Sequence, residues 1–262
     1  MFSVATTSTL GGALARTSGV QKTSKGAPAY SRFINRRIGR YLAAAAYALK
    51  MTPNQVTFVS AIFSYTGIAL IALVRPSGWL AAAVTLALVL GYALDSADGQ
   101  LARLRGGGSV AGEWLDHMVD CAKISALHLA VLVSFFRFFP IARPESLFLP
   151  GAFEIAAVVF FFGTILTDQL RRAQGVAGQP AAAADHHAPL WRSLVVLPTD
   201  YGLLCLVFAT MAWPHLFMAL YGLLFLGTLI FLVAVSVKWY REISSFGRPA
   251  PASPTASAST SA

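Results

Sequence analysis

Charged side chains are scarce in this chain. Asp, Glu, Lys and Arg make up 12% of its 262 residues, whereas hydrophobic residues make up 56%. A soluble globular domain carries charge on around a quarter of its residues, because its surface must face water. The low charge therefore excludes an ordinary soluble domain and indicates that lipid surrounds much of the protein.

Three further features are absent or sparse. The two cysteines, Cys121 and Cys205, both fall in apolar stretches, so no disulfide framework is expected. Residues 1–30 lack a basic start and a strong apolar core, which argues against a secretory signal and leaves a disordered arm or an organellar transit peptide. The 20 basic residues lie mainly between hydrophobic runs, a topology pattern that argues against nucleic-acid binding.

Six hydrophobic runs are near the length of about 20 residues that a bilayer-spanning helix requires. They cover residues 54–74, 79–103, 114–139, 147–170, 199–213 and 215–237. The predicted fold is an all-α integral membrane protein with six transmembrane helices, preceded by an amphipathic interfacial helix.

The basic residues predict the orientation of this bundle. With both termini cytoplasmic, Arg75, Arg137 and Arg143 lie outside, Lys123 lies within the third span, and the other 16 of the 20 basic residues lie inside. Cytoplasmic loops carry an excess of Lys and Arg. The sequence thus predicts a multi-pass protein of the plasma (inner) membrane with cytoplasmic termini.

Four regions follow from these patterns. Residues 1–30 are a predicted disordered arm, and 31–50 a juxtamembrane helix with Phe33, Ile34 and Ile38 on one face and arginines on another. An ordinary helix packed on the bundle is the alternative for that segment. Residues 51–240 form the predicted catalytic domain, and 241–262 a low-complexity disordered tail.

The few acids are concentrated in one stretch, DSADGQLARLRGGGSVAGEWLDHMVD, which runs from residue 95 to residue 120. At 100° per residue, Asp95 and Asp98 share one face of the second span with Gly99 and Ala102. On the third span Glu113, Asp116, His117 and Asp120 repeat this spacing. The spans are antiparallel neighbours across a short turn, so the two acidic faces are predicted to converge near the cytoplasm.

Converging carboxylates repel one another, and each one is costly in a bilayer. Protonation or binding of hard divalent cations relieves the cost, and the four aspartates offer enough oxygens for two ions. Ion pairing with Arg103, Arg105 and Lys123 is the structural alternative. A cation- or proton-coupled transporter is the functional one, although the acids sit at one membrane face and no second hydrophobic half repeats them.

The same residues resemble the signature of the CDP-alcohol phosphotransferases, D-x2-D-G-x2-A-R-x8-G-x3-D-x3-D. Every spacing of this signature is met. The matching residues are Asp95, Asp98, Gly99, Ala102, Arg103, Gly112, Asp116 and Asp120. The resemblance extends over residues 32–238, with the last three spans similar only in kind.

The resemblance implies a reaction in which a CDP-linked alcohol gives its phosphate-bearing half to a second alcohol and CMP is released, in phospholipid biosynthesis. It implies two Mg²⁺ or Mn²⁺ ions held by Asp95, Asp98 and Asp116. Asp120 would be the base that takes the hydroxyl proton, and would also contact a metal. The implied nucleotide-binding residues are Asn54, Asp95, Gly99, Ala102 and Arg103. A homodimer is implied as well.

Two aspects of the substrate stay open. The segment GEWLDHMVD is similar to the GELFDHGCD of eukaryotic choline and ethanolamine phosphotransferases, so the lipid is either donor or acceptor, and His117 either assists the base or fills space. Arg171, Arg172 and Arg192 are candidate ligands of a phosphorylated acceptor, although basic loops also follow from topology alone. Asp185, His186 and His187 are interpreted as an exposed loop rather than a metal site.

Overall fold

The computed structural model describes residues 28–141, 143–175 and 196–246, and every regular element within these ranges is helical. Seven α-helices are numbered here in chain order. They are α1 (Arg36–Ala48), α2 (Pro53–Leu73), α3 (Gly78–Leu104), α4 (Val110–Phe138), α5 (Phe148–Ala173), α6 (Tyr201–Val207) and α7 (Pro214–Ile243). A π-helical turn, Ser31–Asn35, precedes α1, and a 3-10 turn, Phe208–Thr210, follows α6.

The predicted all-helical membrane fold is confirmed. Within the described ranges five helices, α2 to α5 and α7, are long and apolar enough to cross a bilayer, while the sixth apolar segment, Tyr201–Thr210, is shorter. At 1.5 Å per residue this segment rises about 15 Å, half of a hydrocarbon core. Its predicted range was too long, because Asp200 caps its start and the chain reverses before Pro214.

Local sequence signals define the starts of three long helices. Thr52 and Gln55 form a capping box at α2, and Pro53 takes the first helical position, where an N–H is not needed. The hydroxyls of Ser77 and Ser109 accept hydrogen bonds from backbone N–H groups of the first turns of α3 and α4. Each of these helices therefore begins at a defined residue. The starting residue determines the direction in which each later side chain of the helix points.

The juxtamembrane helix α1 packs on α3 through small residues. Gly39, Ala43 and Ala46 are buried, and a Cβ added at Gly39 would lie 2.8 Å from the Ser96 hydroxyl oxygen. Ile38 and Tyr41 are exposed. The helix thus has features of both a packed helix and an interfacial helix. Its face of small residues packs on the bundle, and its large apolar residues point away from the bundle.

The half of the bundle that contains the α3–α4 turn is called the inner half, and the opposite half is called the outer half. The outer half holds the main hydrophobic core, which draws residues from α2 to α7. Its centre is a set of packed aromatic rings, in which Phe217 and Tyr221 stack with centroids 5.6 Å apart. The inner half has a smaller core of Ala43, Val56 and Leu101 with their neighbours, taken only from α1, α2 and α3. The inner ends of α4 and α5 therefore stand apart from this second core.

Two predicted boundaries differ from the structure. Helix α7 continues through Ile243, beyond residue 240 where the catalytic domain is predicted to end, and Glu242 in this extension pairs with Arg171 on α5. At the other end, the Tyr30 backbone N–H donates to Asp200 Oδ2 at 2.8 Å, so Tyr30, which was predicted to belong to the arm, is bound to the bundle. Residues 1–27 and 247–262 lie outside the described residues.

Candidate active site

The acidic faces of α3 and α4 converge as the spacing predicts. One carboxylate oxygen from each of Asp95, Asp116 and Asp120 lies within 4.8 Å of the other two. Asp116 and Asp120 are four residues apart on α4, which stacks their side chains on one helical face. Three oxygens at this separation from three hard ligands are an arrangement that a divalent cation can bridge.

Lys123 completes this cluster from the same helix. Its ammonium Nζ lies 2.6 Å from Asp95 Oδ1 and 2.6 Å from Asp120 Oδ1. The side chain of Lys123 is only 7% exposed. An ammonium is costly to bury unless it is paired, so the two carboxylates make its position tolerable.

Asp98 is held separately, by a residue of α2. It is 3% exposed, and its Oδ2 accepts a hydrogen bond of 2.7 Å from the Thr57 hydroxyl. Close approach of α2 to α3 makes this contact possible, since Ser60 Oγ donates to the Gly91 carbonyl at 2.8 Å one turn further along. Asp98 is outside the group of three convergent carboxylates, but it lines one polar space together with Asp116.

That space is a cavity of about 650 Å³ between the inner ends of α2, α3, α4 and α5, within the range of ordinary ligand pockets. Its walls include the predicted nucleotide-binding residues Asn54, Gly99, Ala102 and Arg103, together with Asp98 and Asp116. Gly112 also lines it, and a Cβ there would lie 3.1 Å from Asn54 Oδ1.

A second, smaller cavity of about 220 Å³ opens between α1, α3 and α4. It shares Asp98, Gly99, Arg103 and Asp116 with the first cavity and adds Asp95 and Arg36. Burial lowers the pKa of Arg36, which lies outside the spans. The carboxylates thus stand between two polar spaces, and Asp120 lies one turn deeper along α4, within 4.8 Å of the oxygens of Asp95 and Asp116.

Residues near the mouth of the larger cavity are already paired with one another. Arg172 Nη1 lies 2.6 Å from Glu113 Oε1, and His117 Nε2 lies 3.8 Å from the same oxygen. The His117 ring also meets Phe161 edge to face. His117 therefore lines the cavity beside Asp116, and its ring nitrogen Nε2 faces Glu113.

Two of the three arginines predicted to receive an acceptor phosphate lie in the described residues, and of these two Arg172 lines the cavity. Arg171 is bound bidentately by Glu242, with N···O distances of 2.7 and 2.8 Å, and also by Asp168 at 2.8 Å. Its guanidinium therefore joins α5 to α7. Arg192, and the segment with Asp185, His186 and His187, lie outside the described residues.

Comparison with known proteins places this site in a family. Residues 50–246 match CDP-alcohol phosphatidyltransferase, and this range contains all four aspartates. The chain belongs to the CDP-alcohol phosphatidyltransferase family. No curated protein sequence matches it.

Two solved structures share the fold of this family member. Both are of phosphatidylinositol phosphate synthase from Mycobacterium tuberculosis, one with CDP-DAG bound and one in complex with manganese and citrate. The first is 22% identical with a TM-score of 0.51, covering 83% of this chain and 99% of its own. The second is 21% identical with a TM-score of 0.51, covering 83% and 94%.

Family membership confirms the predicted activity. The protein is a membrane transferase that moves a substituted phosphate from a CDP-linked alcohol in phospholipid biosynthesis, and the transporter alternative is not favoured. Dependence on Mg²⁺ or Mn²⁺ is confirmed for the family. The carboxylate cluster fits such an ion, because its donors are hard oxygens brought together from two helices.

Two residues that contact the predicted aspartates are not among the functional candidates from the sequence. Lys123 had been considered only as an ion-pair partner, although a lysine inside a span is itself a signal of function. Thr57 carries no comparable signal, since a threonine in a membrane helix commonly bonds to its own backbone, and the Thr57 hydroxyl oxygen does lie 3.2 Å from the Pro53 carbonyl as an alternative acceptor to Asp98.

Proposed function

We propose that Asp95, Asp98, Asp116 and Asp120 hold two divalent ions and the diphosphate of a CDP-alcohol, and that Asp120 activates the incoming hydroxyl. The observation that carries this assignment is the convergence of three carboxylates within 4.8 Å, beside a cavity lined by Asp98 and Asp116. When bound, Mg²⁺ or Mn²⁺ supplies positive charge that offsets the diphosphate and the developing charge on CMP.

The proton transfer and the binding of substrate are assigned to residues of this chain. Asp120 takes the proton of the acceptor hydroxyl, whose oxygen bonds to the phosphorus that carries the donated alcohol. The bond from that phosphorus to the bridging oxygen breaks, and this oxygen leaves with CMP. Asp120 is suited to the role because its carboxylate adjoins Asp116, which reaches the cavity wall.

We assign the nucleotide to the larger cavity. Gly99 and Ala102 leave the α3 wall free of bulk, so the backbone is accessible to a ligand, and Arg103 supplies positive charge beside them. Asn54 offers an amide at the start of α2 for a polar edge of the base. The volume of about 650 Å³ is sufficient for a nucleotide.

The proposal is tested by CMP release from purified protein given a CDP-alcohol, an acceptor and metal. We expect release to require Mg²⁺ or Mn²⁺ and to be abolished in Asp120→Asn. Glu145→Gln, a neutralised acid in the exposed turn before α5, is the control and should retain activity. If CMP release survives in Asp120→Asn, Asp120 is not the base. Metal-driven uptake into sealed vesicles without nucleotide turnover would instead identify a transporter.

A panel of CDP-linked donors tests whether the lipid is the donor or the acceptor. The bound CDP-DAG of the mycobacterial synthase supports a lipid donor, whereas the GEWLDHMVD segment supports CDP carrying a small headgroup. Mass spectrometry of products from CDP-diacylglycerol and from CDP-headgroup donors separates the two. His117→Ala distinguishes the two roles of this side chain. If His117 assists the base, the substitution lowers kcat; if it only packs on Phe161, the substitution lowers stability.

We also propose a plasma-membrane location with cytoplasmic termini and active site, supported by the distribution of basic residues. Arg171 and Arg172 lie at the site end of the bundle, and Arg137 at the opposite end, where it donates to the Ala72 carbonyl. In a cysteine-free background, an impermeant maleimide on intact cells should label Glu145→Cys and not Ser245→Cys. A homodimer is proposed from family resemblance, and crosslinking in native membranes tests it.

A further inference from the structure

Lys123 is a buried cation inside the acidic cluster. Its whole residue is 5% exposed, and its Nζ lies between Asp95 and Asp120 at 2.6 Å from each. Asp95 belongs to α3 and Asp120 to α4, so the ammonium joins the two helices that supply the site. This position is one that a metal ion bridging the same carboxylates would also approach.

Counting charges shows what the ammonium changes. Four ionised aspartates and Lys123 carry a net charge of minus three. One divalent ion leaves this cluster at minus one, while a second takes it to plus one. Without the lysine, two ions would leave the cluster neutral. The diphosphate of a CDP-alcohol carries two negative charges, so it offsets the excess that the second ion and Lys123 create together.

We propose that Lys123 is a positioning residue that makes tight binding of the second divalent ion depend on the nucleotide. The proposal rests on the assignment of the four aspartates as the metal site. In the nucleotide-free protein the ammonium shares Asp95 and Asp120 with the cluster and repels a second ion. When the diphosphate arrives, the added negative charge lets both ions bind together.

A purely structural role predicts the opposite effect of removing the charge. If Lys123 only holds Asp95 and Asp120 in place, Lys123→Met disorders the two carboxylates and weakens metal binding. If Lys123 is a competing cation, Lys123→Met strengthens metal binding in the nucleotide-free protein. The direction of the change therefore separates the two roles.

The experiment is a Mn²⁺ titration of the purified full chain, followed by the electron paramagnetic resonance of free Mn²⁺, with and without CDP. For the unchanged protein we expect saturating CDP to tighten the second Mn²⁺ by about tenfold or more, because its diphosphate adds at least two negative charges to a two-ion cluster that otherwise carries plus one. By linkage, Mn²⁺ should tighten CDP binding by the same factor. If the unchanged protein binds two Mn²⁺ ions tightly without CDP, the proposal is overturned, and this result requires no variant.

Two substitutions sharpen the result. In Lys123→Met we expect the second Mn²⁺ to bind about tenfold tighter than in the unchanged protein without CDP, and the effect of CDP to fall below about threefold. Lys123→Arg keeps the charge and should keep the dependence on CDP. Unchanged or weaker Mn²⁺ binding in Lys123→Met refutes the proposal. CMP release by the unchanged protein is measured in parallel, so a failed linkage with intact release leaves the proposed function standing.

Discussion

Replacing Thr57 by valine removes one hydroxyl from the site and leaves the shape of the side chain nearly unchanged. The Thr57 hydroxyl donates to Asp98 Oδ2 at 2.7 Å, and Asp98 is 3% exposed. Little water can therefore replace the lost donor. The carboxylate of Asp98 keeps its burial but loses the hydrogen bond that orients it towards the cavity.

The size of the effect follows from the charge of the acceptor. A hydrogen bond to a charged group contributes about 1.5–3 kcal/mol. A tenfold change in an equilibrium or rate constant corresponds to about 1.4 kcal/mol. We therefore expect Thr57→Val to lower CMP release by about 10- to 150-fold at limiting metal, with a smaller loss when Mg²⁺ or Mn²⁺ is saturating.

The assay is CMP release over a range of metal concentrations, with thermal melting measured on the same preparations. Thr57→Ser keeps the hydroxyl and should retain most activity. Ser60→Ala is the matched control, because it removes a hydroxyl one turn later on α2, one that donates to the Gly91 carbonyl at 2.8 Å rather than to a carboxylate. If Thr57→Val releases CMP within twofold of the unchanged enzyme, Thr57 does not orient Asp98 for the reaction.

Three other predictions concern the metal, the nucleotide and the α5–α7 contact. Chelation should abolish CMP release and lower the melting temperature, both restored by Mg²⁺ or Mn²⁺; activity that persists after chelation contradicts the metal site. Gly112→Ala places a Cβ 3.1 Å from Asn54 Oδ1 and should raise KM for the CDP donor severalfold, whereas Gly151→Ala, with no atom within 4 Å, should not; equal KM values refute the nucleotide assignment. Glu242→Gln should lower the free energy of unfolding by about 0.5–1 kcal/mol and keep CMP release within about twofold; a loss of release above tenfold would place Arg171 in the reaction.

The sequence was sufficient to predict the acidic faces because an α-helix has a fixed rotation per residue. Spacings of three and four place Asp95 with Asp98, and Asp116 with Asp120, on one side of their helices whatever surrounds them. The turn between α3 and α4 then returns the chain beside the end of α3, although both helices pack mainly on α2 rather than on each other. Gly106 and Gly107 in this turn have φ angles of 94° and 129°, which other residues adopt only with strain.

Side-chain contacts between different helices could not be predicted from the sequence, because they depend on how each helix is rotated against its neighbours. Lys123 contacts Asp95 from 28 positions away, Thr57 contacts Asp98 from 41, and Arg171 contacts Glu242 from 71. Helical periodicity predicts which residues share a face of one helix, but not which residues of another helix they contact. For the same reason Arg171, which the basic pattern offered to a substrate phosphate, is bound by a residue that had been assigned to the tail.

The position of the cavities follows from an uneven distribution of the core. In the outer half of the bundle, Phe135, Phe217 and Tyr221 pack with residues of every span. Even the buried His128 is satisfied there, by a 2.6 Å contact with the Tyr221 hydroxyl. In the inner half only α1, α2 and α3 share a hydrophobic core. Helix α4 must therefore leave a gap against α3 where its acids are, and both cavities occupy that gap. A closed outer half and an open inner half therefore place both cavities, and the aspartates that line them, at one end of the bundle.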